Sequence, residues 1–190
     1  MSRYKLLLLD DEIDILKAYG EILVNNGYEV FLATTYLEAV TLVEQNDFDV
    51  VILDIFLKGC KETGLDIALL AKEKCSSTQA VIFTGKPDAD TMAISTQLEV
   101  YEYLLKPVTS ETMIKSVKRA IDVKELMDEK IKIKSELEKT LEIQKHILHN
   151  GDQKFTTMLE AMLATDKKLE IKIIESRNEL MATIKALNLN

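Results

Sequence analysis

Four branched apolar residues, Val50-Val51-Ile52-Leu53, run without interruption into an acid, Asp54. A run of this length and β-branched content reads as a strand buried on both faces of a sheet, with Asp54 at its carboxyl end. Lys5 to Leu9 runs likewise into Asp10-Asp11-Glu12, another apolar run ends at Thr84, and another at Lys106-Pro107. In an open α/β sheet the carboxyl ends of the strands form the ligand crevice, so an acid there is accessible while the run behind it stays buried. Carboxylates packed together repel one another unless a cation joins them. Oxygen-only ligands with room left for water suit Mg²⁺ better than a softer metal. Lys106 adds a positive charge and Thr84 a hydroxyl donor. Around one acid, that set amounts to a phosphoryl-transfer site in which the acid itself can be the nucleophile.

These residues converge only if the elements between them alternate correctly. The pattern predicts strands at Lys5 to Leu9, Glu29 to Leu32, Val50 to Leu53, Ala80 to Phe83 and Val100 to Leu105. Between them lie helical stretches: Glu12 to Asn25, with Ile15, Leu16, Tyr19, Ile22 and Leu23 on one face; Tyr36 to Gln45; Gly64 to Lys74; and a weaker one from Asp88 to Gln97. Asn26-Gly27 closes the first helix. Strict β/α alternation implies an α/β fold, a doubly wound five-stranded parallel sheet with helices on both faces and right-handed crossovers. In strand order 2-1-3-4-5, the flavodoxin-like arrangement, strands one and three are neighbours at the switch point, so Asp10, Asp11 and Asp54 meet.

Charge and composition divide the 190 residues in two. Residues 1–121 hold 12 basic and 19 acidic residues, and residues 122–190 hold 12 and 13, so the acidity belongs to the first segment. Both prolines and five of the six glycines also precede residue 122. The net charge of −8 argues against a nucleic-acid-binding surface, which needs a basic face. No stretch approaches the roughly 20 apolar residues of a membrane span. The start shows no signal-peptide pattern, and Cys60 and Cys75 lack the spacing of a disulfide framework or zinc site, so a cytoplasmic protein with free thiols is expected.

Four segments, Leu6-Leu-Leu-Leu-Asp10-Asp11-Glu12, Val50-Val-Ile-Leu-Asp54, Phe83-Thr84-Gly85 and Tyr101-Glu-Tyr103-Leu-Leu-Lys106-Pro107, resemble in order and separation the signature segments of the bacterial response-regulator receiver domain. The resemblance covers residues 1–121. It implies that Asp54 accepts a phosphoryl group from a sensor histidine kinase or phosphotransfer protein. It implies further that Asp11, Asp54 and the main-chain carbonyl of Phe56 bind Mg²⁺ with Asp10 assisting, that Lys106 pairs with Asp54 or its phosphoryl group, and that Thr84 and Tyr103 form a switch pair. The Lys106-Pro107 bond is typically cis in the family, and X-Pro is the setting in which cis is accessible. Such a protein is no enzyme in the ordinary sense; its chemistry is limited to phosphorylation at Asp54 and slow hydrolysis there.

Departures from the family pattern gather after Asp54. Where the family commonly has a proline four residues on and a glycine eight on, this chain has Lys58 and Glu62, and the glycine arrives at Gly64. Gly59 to Thr63 therefore reads as a loop lengthened by about two residues. The Gly-Ala usual before strand five is Glu99-Val100. A haloacid-dehalogenase-type phosphatase also uses an aspartate nucleophile, but it needs an Asp-x-Asp pair after the first strand, which Asp10-Asp11-Glu12 does not offer. A flavodoxin-like cofactor binder needs hydroxyl-rich or glycine-rich phosphate loops in place of carboxylates.

Residues 122–190 read as a helical extension. Ser110 is placed as an N-cap with Glu111 in the first turn. No proline or glycine follows from Val108 to Asn150, which predicts one helix of some forty residues. Val123, Met127, Lys130, Lys134, Leu137, Leu141, Gln144 and Leu148 form a mediocre coiled-coil seam. Turn chemistry at His149-Asn150-Gly151-Asp152 precedes a better one, from Phe155 and Leu159 to Leu187. Helices with so broad an apolar stripe must bury it, which points to a hairpin that homodimerises or to packing on a partner. A helical phosphotransfer module, or a link to an output domain outside this chain, remains the alternative. His146 and His149, three apart at a helix end, read as solvent-exposed residues rather than metal ligands or phosphotransfer histidines.

Overall fold

The computed structural model describes residues 4–87, 89–148 and 157–168. Its elements run β1 (Lys5–Leu9), α1 (Ile13–Asn25), β2 (Glu29–Ala33), α2 (Tyr36–Gln45), β3 (Val50–Leu53), α3 (Gly64–Lys74), β4 (Gln79–Thr84), α4 (Ala89–Gln97), β5 (Glu102–Leu105) and α5 (Ser110–Leu148). The five strands form one parallel sheet in the order β2-β1-β3-β4-β5, as the alternation predicts. The fifth strand starts at Glu102 rather than Val100, because Glu99 takes a left-handed φ of 51° and turns the chain just before it.

Period-two alternation of side chains sorts the three central strands into two cores. Leu7, Leu9, Val51, Leu53, Ala80 and Ile82 face one side, packed with Ala39 and Val43 of α2 and Leu65, Ile67, Ala68 and Ala71 of α3. Leu6, Leu8, Val50, Ile52, Val81 and Phe83 face the other, packed with Leu16 and Leu23 of α1 and Met113, Val117, Ala120 and Ile121 of α5. Burial on both faces is why these strands are continuous apolar runs. Gly27, at φ 93°, ends α1 in the left-handed conformation that glycine tolerates best.

The α5 N-cap is Thr109, one residue before the Ser110 expected from sequence. Its hydroxyl accepts from Thr112 N at 3.2 Å, and its carbonyl accepts from Met113 N at 3.1 Å. Two adjacent hydroxyl residues offer equal capping chemistry, and the cap falls to the one preceding the first helical turn. The helix then runs 39 residues to Leu148, close to the length expected from the absence of helix breakers.

Two compact units divide between Ile131 and Lys132. Within the first, polar contacts tie α5 to the amino-terminal edge of the sheet. Ser77 Oγ donates to Asp128 at 2.5 Å, Gln79 Nε2 reaches Met127 Sδ at 3.2 Å, Lys124 pairs with Asp128 and with Asp49 Oδ1 at 3.4 Å, and Tyr4 donates to Glu125. In the second unit Leu159 is buried, Leu137, Leu141 and Gln144 are half-buried, and residues 157–168 are helical. The turn at residues 149–152, most of the second seam and the side chains of His146 and His149 lie outside the described residues.

Burial works to raise the Asp128 carboxyl, but hydrogen bonds from Lys124 and Ser77 outweigh it and hold it below its usual range. A carboxylate lowered in the folded state stabilises fully above its unfolded value near pH 4, and that contribution is lost as pH falls through the lowered folded value. Asp128→Ala is therefore expected to cost about 0.5–1 kcal/mol at neutral pH, modest because the group is largely solvated. Urea midpoints measured from pH 7 downward should converge for wild type and variant below about pH 4.

Candidate functional site

The carboxyl edge of the sheet gathers the side chains that the strand ends place there. Strand pairing sets Leu9 beside Leu53, and Asp54 N donates to Leu9 O at 2.9 Å, which brings the β1 and β3 acids side by side. One oxygen from each of Asp10, Asp11 and Asp54 lies within 4.8 Å of the others. At the far strand, Lys106 N donates to Thr84 O at 2.9 Å. Its side chain then crosses the Phe83 ring, with Nζ 5.2 Å from the ring centroid, to donate to Asp10 Oδ2 at 2.5 Å and Asp54 Oδ2 at 2.6 Å. Tyr19 stacks edge-on against Phe83 with centroids 4.8 Å apart, and its hydroxyl donates to Val108 O at 2.8 Å, fixing the platform under the lysine. The Lys106-Pro107 peptide is cis.

Each acid has a different surrounding. Asp10 is fully buried; its Oδ1 accepts from Glu12 N at 3.0 Å, and burial pushes its carboxyl above the ordinary range against the pull of Lys106. Burial also opposes the charge on Lys106, but the hydrogen bonds to Asp10 and Asp54 outweigh it, so the ammonium is held more tightly than in water. Asp54 is 7% exposed, and its Oδ1 makes only a long contact with Phe56 N at 3.4 Å. Asp11 Oδ2 is buried without a well-aligned hydrogen bond, and Lys58 Nζ lies 3.0 Å from it as an ion pair.

The cleft above these groups encloses about 310 Å³ and is lined by Asp11, Asp54, Phe56, Lys58, Thr84 and Lys106 among others. A buried acid oxygen whose one partner is an exposed lysine, in a donor set made wholly of oxygens, fits a hard divalent cation. Asp11, Asp54 and the Phe56 carbonyl would hold it, with Asp10 adjacent.

Of the residues singled out from sequence, Asp10, Asp11, Asp54 and Lys106 come together, and Thr84 and Phe56 border the same cleft. Thr84 is buried, and its hydroxyl contacts Lys86 N at 3.4 Å. Tyr103 is set back: it pairs in register with Ile82, two residues before Thr84, and its hydroxyl lies 3.5 Å from Thr91 Oγ1 on α4.

Two further residues emerge only from the fold. A Cβ on Gly64 would sit 2.0 Å from the Asp54 carbonyl oxygen, so only glycine lets α3 begin against the end of β3. Gly64 N also donates to Ile55 O at 3.1 Å. The arrival of a glycine in a helix-opening position was its only sequence signal. Lys58 was visible as a departure from the family pattern, but not as a partner of Asp11.

Acids at the β1/β3 switch point of a 2-1-3-4-5 sheet are the arrangement of CheY-like domains. Residues 6–118 match the family model of the response regulator receiver domain, and the chain belongs to that family. An NtrX-like response regulator of Rickettsia bellii is 25% identical over 189 residues, covering 94% of this chain and 40% of the relative. The chain thus spans about two fifths of the NtrX-like relatives it matches. A CheY-like receiver domain protein from Methanospirillum hungatei superposes with a TM-score of 0.63 at 25% identity, covering 66% of this chain and 99% of that one. A receiver domain from Clostridium thermocellum gives 0.60 at 32% identity over 65% and 98%. Receiver domains serve phosphoryl-accepting signalling and generally bind Mg²⁺ at an acidic pocket, and the aspartate cluster here provides such a pocket. No helix among the described residues is long and apolar enough to cross a membrane.

Removing the ammonium leaves two buried carboxylates unpaired, so in metal-free protein Lys106→Met is expected to lower unfolding free energy by about 3 kcal/mol. Adding Asp54→Asn should recover part of that loss in a urea-unfolding cycle. Gly64→Ala should cost roughly 1–3 kcal/mol by overpacking, read as a lower urea midpoint.

Proposed function

We propose that Asp54 is the phosphoacceptor of a two-component signalling switch, charged by a partner histidine kinase or phosphotransfer protein. The observation that carries this reading is the double hydrogen bond of Lys106, which lines the cleft, to Asp54 and to the buried Asp10. An Asp54 oxygen attacks phosphorus, a P–O bond forms to give an acyl phosphate, and the P–N bond to the donor imidazole breaks with protonation of the leaving nitrogen. Lys106 moves its hydrogen bond from the Asp54 carboxylate to a phosphoryl oxygen, and the Thr84 hydroxyl donates to another. Tyr103, whose hydroxyl now lies beside Thr91, then follows, which alters the α4–β5–α5 surface. Bound Mg²⁺ would offset the charge that builds up on the phosphoryl oxygens. Loss of the phosphoryl group is slow hydrolysis at the same carboxyl, so the protein acts as a switch and has no turnover substrate of its own.

The output is carried by helices. α5 both walls the receiver core and runs on to Leu148, and exposed Ile133 and Ile143 on its later turns are apolar positions that a homodimer would cover. The near-balanced charge of residues 122–190, 12 basic against 13 acidic, does not favour direct DNA binding as the output. We place the protein in the cytoplasm, where its kinase partners act. A second reading treats the helical segment as a connector to an output domain. In the NtrX-like relatives the aligned stretch, helical segment included, makes up 40% of the protein and is joined to further chain.

Incubation with a small phosphodonor and Mg²⁺ is expected to add one phosphoryl group by mass spectrometry, and none to Asp54→Asn. Equal labelling of the variant would sink the assignment. Mass in solution separates the two outputs: a dimer supports the helical interface, and a monomer with and without phosphodonor supports the connector.

A further inference from the structure

The loop after Asp54 carries a cation of its own. Leu57 is buried and anchors the loop in the core, Cys60 N closes a turn onto Leu57 O at 3.4 Å, and Gly59 takes a φ of 74°. Between the anchor and the glycine, Lys58 is held over the cleft that it helps line. Its side chain is 82% exposed while that of Asp11 is 14% exposed, so the ammonium reaches inward from solvent to an acid that is nearly covered. The oxygen it meets, Asp11 Oδ2, has no well-aligned hydrogen bond from any other group.

We propose that Lys58 is a tethered counter-cation for Asp11 that competes with the divalent metal and must swing away when it binds. This rests on the reading of the aspartate cluster as the Mg²⁺ pocket. An ammonium 3.0 Å from Asp11 Oδ2 and a metal ion about 2.1 Å from the same oxygen cannot share one approach, and their like charges repel. The lysine thus lowers metal affinity while neutralising Asp11 in the metal-free protein. A free surface lysine would leave the affinity unchanged, and a lysine that recruits metal indirectly would raise it.

The test is calorimetric titration of the full chain with Mg²⁺ alone, at low ionic strength, for wild type, Lys58→Met and Lys58→Arg. Lys58→Met is expected to bind Mg²⁺ about two- to five-fold more tightly, the range of a solvent-facing ion pair, and the gain should shrink with added salt. Lys58→Arg, which keeps the charge, should stay near wild type. Lysine-ammonium NMR of the wild type should show the Lys58 signal moving along the same Mg²⁺ titration. Equal or weaker binding by Lys58→Met overturns the inference. If Asp54 is still phosphorylated in that case, the phosphoacceptor reading stands. A folded wild type that binds no Mg²⁺ overturns both the competition and the metal pocket on which it rests. The exposure of Lys58 makes loss of folding no escape, and far-ultraviolet circular dichroism of each variant checks it.

Discussion

Two carboxylates, one wholly buried and one nearly so, share a single ammonium at 2.5 and 2.6 Å. A buried charge is tolerable only when paired and hydrogen-bonded, so the sheet can bring Asp10 and Asp54 together only because Lys106 arrives between them. Its arrival depends on chain far away in sequence. β5 must lie next to β4 so that Lys106 N can bond Thr84 O, and Phe83, met edge-on by Tyr19, must lie under the ammonium. The strand order, the aromatic pair and the α1 face are therefore conditions on one electrostatic contact as well as parts of a core.

The other end of the sheet is organised around α5. Met113, Val117, Ala120 and Ile121 complete the core on the α1 side, and from residue 124 onward the same helix exchanges apolar for polar contacts with Asp49, Ser77 and Gln79. Through its first five turns α5 is thus bound both to the apolar core and to the amino-terminal ends of β3 and β4. Past Ile131, Ile133 and Ile143, which lie off the seam read from the sequence, are more than half exposed, whereas the seam positions Leu137, Leu141 and Gln144 are half-buried.

What could be read in advance follows from which interactions are local. The central strands were legible because burial on both faces forces unbroken apolar runs, and the site acids were legible because each terminates such a run. The switch-point neighbours followed from β/α alternation. The exact strand limits did not follow, since Val100 is as apolar as Leu104 and only the left-handed turn at Glu99 excludes it from β5. Lys58 and Gly64 were opaque for a related reason. Their roles depend on the path of a loop, which sets one ammonium beside Asp11 and one backbone against Asp54, and loop paths have no periodicity to betray them. The extension was legible as helix as far as Leu148 and little more, because three of the eight seam positions there are polar and propensity says nothing of what a helix packs against.

The three acids are not interchangeable, and their differences assign the work. Asp10 has both oxygens committed, one to Glu12 N and one to Lys106, and its burial makes it an anchor for the lysine rather than a group that exchanges partners. Asp54 has one oxygen committed to Lys106 and one in only a long contact with Phe56 N, so it keeps a lone-pair-bearing atom able to form a new bond without dismantling the site. Asp11 holds only an exposed lysine, the partner most readily replaced by another cation. With all three ionised, two ammoniums leave the cluster one negative charge short of neutral. A divalent ion that takes the place of the Lys58 ammonium brings the balance to zero. If Asp54 is the phosphoacceptor proposed above, this charge balance favours cation first and phosphoryl group second, since an incoming phosphoryl dianion would meet a repulsive cluster until the metal is in place.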